Sequence, residues 1–276
     1  LDPSVNSPSL LTVKNSYCFV AIYIGHSNEL FRVHVVRPAI YGYGVIVMGM
    51  PNSDPLTPLM ALSGVEAGAA AAVDAIARVH RRPAGLRKFE VISSESLLRG
   101  ARACAAIDGA PLAGADVPPT VSAYSLLAPE VQASTVRTFA RAPLQVLARI
   151  DVAAGGPGHP ARDSVVAQAL AQLITRGKGV DFDRLLPVVL HAEIAARSLF
   201  AERSTVVALV AARAAAIHTG FDPRGFAVPE TYLNRHRAAY REALMSYEDT
   251  PAELLTLLYD AWTAGAEEAD GIARAA

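Results

Sequence analysis

Cysteine is nearly absent: Cys18 and Cys104 are the two in the chain. Two are too few for a disulfide framework, and they lack the clustered spacing of a structural zinc site, so a reducing, cytoplasmic setting is expected. Charge of one sign is also lacking. With 25 Lys and Arg against 26 Asp and Glu the formal charge is -1, which leaves no basic excess to neutralise phosphates and no acidic tail to mimic them. Nucleic acid is therefore not an expected partner. Long hydrophobic runs are missing too. The stretches Tyr17 to Gly25, Ala39 to Val47 and Val206 to Ile217 fall short of the roughly 20 residues that cross a bilayer. The last of them carries Arg213, and the first lacks the basic flank and small-residue cleavage site of a signal peptide. No membrane anchor is expected. Strand-type alternation does not occur after residue 50, which argues against a doubly wound or barrel enzyme fold.

What is present is alanine. It supplies most of the 52% apolar content, carries the best helix propensity and lets helices pack closely. A chain of 276 residues then suits one all-α domain with an extra segment better than two equal domains. The extra segment is residues 1–47, rich in Tyr, Phe, Val and Ile and nearly free of alanine. Two readings of it stand. Tyr17 to Tyr23 and Phe31 to Val36 have the composition of a small β-hairpin around Asn28-Glu29. The preferred reading is a translated stretch upstream of a true start at Met48 or Met50, which need not fold at all.

From Pro51 onward the pattern predicts helix after helix with Pro and Gly as punctuation. The expected spans are Ser63 to Val79, Ser94 to Ile107, Pro129 to Ala142, Pro143 to Ile150, Asp163 to Thr175, Asp183 to Arg197, Thr205 to Thr219, Pro229 to Ser246 and Pro251 to Ala264. Ser63 with Glu66 has the spacing of a capping box. His80-Arg81-Arg82 is most simply a set of cations at a helix C-terminus. Gly155-Gly156-Pro157-Gly158 suggests a phosphate cradle but is followed by no Lys-Ser/Thr pair and preceded by no strand. His191 and Glu193, two apart on a helix, do not share a face, and no H-E-x-x-H zinc pattern occurs. The segment His218 to Asp222 with Arg224 reads equally as a small-anion site or as a polar helix connection.

One arrangement points further. The helix Arg184 to Ala196 leads into Arg197-Ser198-Leu199-Phe200-Ala201-Glu202-Arg203-Ser204-Thr205, and a second apolar helix follows. Downstream lies Pro229-Glu230-Thr231-Tyr232-Leu233-Asn234-Arg235, and upstream Glu95 to Ile107 followed by Asp108-Gly109. Together these resemble the Fic family, in its alanine-rich bacterial form, whose loop reads H-P-F-x-[DE]-G-N-G-R-x-x-R between two such helices. The resemblance covers roughly Pro55 to Ala264 and implies a Fic-like helical bundle.

Carried over position by position, the family's catalytic histidine falls on Ser198 and the following proline on Leu199. The core-anchoring aromatic falls on Phe200, a match, and the metal-holding acid on Glu202, also a match. The phosphate-wrapping G-N-G becomes Arg203-Ser204-Thr205, and the two arginines become Val206 and Leu209. The inhibitory helix, with the pattern [ST]-x-x-x-E-[GN], corresponds to Cys104, Asp108 and Gly109, where the acid is a methylene shorter. If any nucleotide binding survives, Arg203, Ser204 and Thr205 would meet ATP and Glu202 its magnesium. Ser204 and Thr205 read more simply as N-caps, Asp108-Gly109 as a plain helix terminus, and Cys104 as a small buried apolar side chain.

AMP transfer needs a base for the hydroxyl proton, and a serine hydroxyl at 198 does not supply one. Three hypotheses follow. The first is a non-catalytic Fic-like protein that binds a protein partner or a nucleotide-like ligand; the second a divergent nucleotidyl transferase using Glu202; the third a helical scaffold that dimerises through its alanine-rich helices.

Overall fold

The computed structural model describes residues 54–109 and 118–276. The proposed hairpin and the break near residue 48 lie outside the described residues. Among those described, thirteen α-helices and one 3-10 turn form an all-α bundle, and no strand occurs.

Two helices make the centre. Helix α9 (Val180–Ala196) and helix α10 (Ser204–Thr219) lie against each other, and both are apolar on nearly every side, the pattern of a helix with neighbours all round. Pro187 sits inside α9. It removes one amide from the helix ladder at a cost of about 3 kcal/mol, an expense that a helix survives when tertiary packing, rather than propensity, holds it. Asp54 fixes the start of α9 from a distance: its carboxylate accepts the amide of Phe182 at 2.6 Å and that of Leu56 at 3.0 Å.

Around this pair the short α1 (Thr57–Met60) is followed by α2 (Val65–His80), whose buried Val65, Ala69, Ala72, Ile76 and Val79 recur every three or four residues. Helix α2 packs along α13 (Pro251–Ala275). The short α3 (Pro83–Arg87) leads to α4 (Phe89–Ile107), which meets α5 (Pro118–Ser125) and α11 (Pro229–Arg235). Helices α6 (Pro129–Arg141) and α7 (Pro143–Ala153) cover another side of α10, with α8 (Ser164–Arg176) at the edge of α7 and α9, and α12 (Arg237–Met245) against α9 and α13.

Four expectations are corrected. Helix α2 does not begin on a Ser63 capping box: Gly64, at φ 80°, is the residue before it, and no side-chain cap bond forms. The left-handed glycine sets the entry angle and leaves Ser63 one residue too early to reach the first amides. The span Pro229 to Ser246 is two helices, because the chain bends at His236 (φ -107°, ψ 28°). Past that bend Arg237 and Arg241 of α12 donate to the carbonyls of Ala106 and Ile107 at the end of α4. Helix α13 does not stop at Ala264 but runs on to Ala275, 25 residues in all. Gly265, which has the look of a terminator, is a crossing point: a side chain there would come within 2.6 Å of the Val228 and Pro229 backbone. The basic triplet after α2 also does more than oppose a helix dipole, since His80 pairs with Asp222 at 2.7 Å and Arg82 with Asp270 of α13.

Candidate functional site

The loop from Arg197 to Arg203 joins the two central helices and is held by its own backbone. At the end of α9 the amide of Ser198 donates to Ala195 O (3.1 Å) and that of Leu199 to Ile194 O (3.2 Å). These are the paired bonds of a Schellman terminus, and they place Ser198 at its left-handed position, φ 49°. Ala201 repeats the left-handed conformation at φ 52°. Each costs about 1–2 kcal/mol for a residue with a Cβ, and between them Leu199 and Phe200 are driven inward to 0% and 1% exposure. Phe200 thus anchors the loop in the core.

Ser204 and Thr205 are not N-caps. Ser204 is the first residue of α10, and no side chain caps that helix. Its hydroxyl instead accepts the Phe200 amide at 2.9 Å, which locks the 3-10 turn Ala201–Arg203 onto the aromatic anchor. Thr205 lies in the first turn of α10, and Asp108 follows the end of α4. Partial burial pushes the Asp108 carboxyl up, and the Thr205 hydroxyl with the Arg241 guanidinium draws it part of the way back. Helices α4 and α10, which carry the segments likened to the inhibitory helix and to the end of the phosphate loop, touch each other. Gly109 follows with φ 105° as the helix ends. Cys104 belongs to a different environment: it is fully buried, and burial, then Asp108 and Glu230, push its thiol well up.

Glu202 is exposed and pairs with its neighbour Arg203. The turn's own backbone and that guanidinium hold its carboxyl below the usual range. These residues do not fit a magnesium ion, because a cation bound to Glu202 would sit beside the Arg203 charge. Arg203 also donates through Nε to Asp151 of α7 at 2.7 Å, and Asp151 is fully buried. The other Asp151 oxygen accepts the Gly158 amide at 2.8 Å, while Ala161 donates to Leu199 O at 2.8 Å. The glycine segment and the α9–α10 loop are thereby one assembly.

No family model and no curated protein matches this chain.

Two buried networks stand beside the loop. Arg197 donates to Glu193 (2.7 Å), whose other oxygen accepts from Tyr247 (2.9 Å), and His191 pairs with Tyr240 (2.7 Å). His191 and Glu193 thus have separate partners. In the other network Arg213 of α10 grips both oxygens of Glu230 at 2.6 and 2.8 Å, and Tyr124 donates to the same carboxylate at 2.9 Å. Burial alone would lower the Arg213 pKa; the Glu230 charge and hydrogen bonds outweigh it and raise it. In the segment read equally as an anion site or a polar connection, the buried Asp222 accepts from His80 and from the Ala227 amide at 2.8 Å, and Arg224 reaches Gly85 O. A carboxylate at that centre repels an anion, so the segment is a connection.

Asp151 and Glu230 were not singled out from the sequence. The available signal was a carboxylate among apolar neighbours, in Leu147 to Val152 and in Val228 to Leu233.

Proposed function

We propose that this is a Fic-like helical protein that has lost AMP transfer and acts by binding a protein partner, a second copy of itself or a nucleotide-like ligand at the face carrying residues 198–205. The observation that carries the reading is the use made of the loop. Ser198 closes α9, Ser204 holds the Phe200 amide, and Arg203 is committed to Asp151 and Glu202. A transferase would need these same positions for a base and for charge neutralisation on a triphosphate, contributions of about 10²- to 10⁴-fold for the base and a comparable factor for the charges.

The test is incubation with magnesium and radiolabelled ATP, followed by a search for label on the protein and on cell lysate proteins. Neither the native chain nor Ser198→His is expected to transfer label, since restoring a base leaves the loop amides and Arg203 still engaged. Transfer by the native chain would establish the divergent transferase instead. Transfer by Ser198→His alone would show that one residue separates this loop from an active one.

A further inference from the structure

The Asp151 carboxylate occupies an environment that physical chemistry would assign to a bound anion. It sits in the last turn of α7, the end at which the helix dipole disfavours negative charge, so the helix itself gives no reason for it. Its side chain is fully buried, with one oxygen on Arg203 Nε and the other on the Gly158 amide. Gly155 and Gly158 take φ of 87° and 84°, which folds the segment back over the end of its own helix. Between them, a side chain on Gly156 would collide with both Asp151 oxygens and with Arg203 Nε. Backbone amide, close glycine approach and a guanidinium are the elements of an oxyanion cradle. The cation that the glycine segment lacks in its own sequence arrives from Arg203, 52 positions from Asp151.

We propose that the Gly156–Gly158 segment and Arg203 form a cradle for a small oxyanion of the phosphate class, and that Asp151 is a built-in occupant holding it shut. A carboxylate offers the same paired acceptor oxygens as one edge of a phosphate. Being tethered, it competes at an effective concentration of millimolar or above, so the native chain excludes free phosphate. The cradle opens when the carboxylate is removed. This inference stands apart from the loss of AMP transfer: that reading is judged by label on protein, this one by response to a free anion.

The probes are inorganic phosphate and sodium formate, with sodium chloride at matched ionic strength as reference. Asp151→Ala is expected to melt below the native chain and to regain about 5 °C or more at 50-fold excess of anion over its dissociation constant. The native chain, which also reports general salting effects, is expected to gain much less. Adding Arg203→Gln to Asp151→Ala should abolish the extra gain. An equal response of the native chain and Asp151→Ala, or of the single and double variants, overturns the proposal. Should Asp151→Ala not fold, Asp151→Ser empties most of the cradle while leaving a small polar side chain; equilibrium dialysis with radiolabelled phosphate is then expected to show more binding than to the native chain, and equal binding overturns the proposal.

Discussion

Protonation of His191 should destabilise the bundle as pH falls below neutrality, and a variant lacking that histidine separates its share from that of the chain's other histidines. His191 lies on α9 at 2% exposure, with Tyr240 as its hydrogen-bond partner, and burial lowers its pKa to about 3. In the unfolded chain the value returns to about 6.5. Below pH 6.5 the unfolded state therefore binds a proton that the folded state refuses, and stability falls as pH falls from 6.5 towards 3. The slope approaches 1.4 kcal/mol per pH unit, and integration from pH 7 to pH 5 gives a loss of about 2 kcal/mol. The folded-state value hardly enters that figure, because the window lies well above it. Against a total stability of about 5–15 kcal/mol this is readily measured. The comparison is with His191→Gln, which offers Tyr240 a partner and does not titrate, by urea unfolding at pH 7, 6 and 5. The difference in stability between the two proteins should shrink in favour of the variant by about 2 kcal/mol across that range. Parallel pH dependences would refute the reasoning and mean that His191 takes up its proton in the folded state.

Two further outcomes test the packing beside the loop. Phe200→Ala should lose about 3–5 kcal/mol in urea unfolding, because Phe200 is 1% exposed and its amide is held by Ser204; a near-neutral result would mean that the loop is not anchored there. Glu230→Gln should lose about 3–5 kcal/mol by leaving the buried Arg213 charge uncompensated, whereas Arg213→Met with Glu230→Leu should lose distinctly less in the same assay. An equal loss in both would show that packing, not charge, dominates the site.

The helices were legible because their cause is local. Apolar residues three and four apart, such as Val65, Ala69, Ala72 and Ile76, mark a buried face wherever that face turns. The boundaries that shifted have distant causes. Gly265 continues a helix because the backbone at Val228 crosses it, and the bend at His236 accompanies two arginines that reach α4, 131 and 134 positions away. No window of sequence contains both partners of such a contact. Of the candidate site, Phe200 is legible as core material from its apolarity alone, while the uses of Ser198 and Ser204 are not, since a serine offers the same hydroxyl to a cap, a loop amide or a ligand.

The same limit explains why the carboxylates central to the buried networks escaped the sequence reading. Asp151 meets Arg203 across 52 positions, and Glu230 meets Arg213 across 17 positions and Tyr124 across 106. A buried charge has to be paired, so each such acid in an apolar face implies a basic partner without indicating which one. Arg213 was visible as a charge within the apolar run of α10, and by that rule it required an acid somewhere. The fold selects Glu230, and in doing so ties α10 to α11 and α5 through a single carboxylate. Arg203, by contrast, lies in a loop, keeps 18% of its side chain exposed, and had no buried helix position forcing it to pair. That it turns inward to a fully buried Asp151 is what distinguishes the loop from an ordinary helix connection, since it joins the loop to α7 and to the glycine segment through one carboxylate.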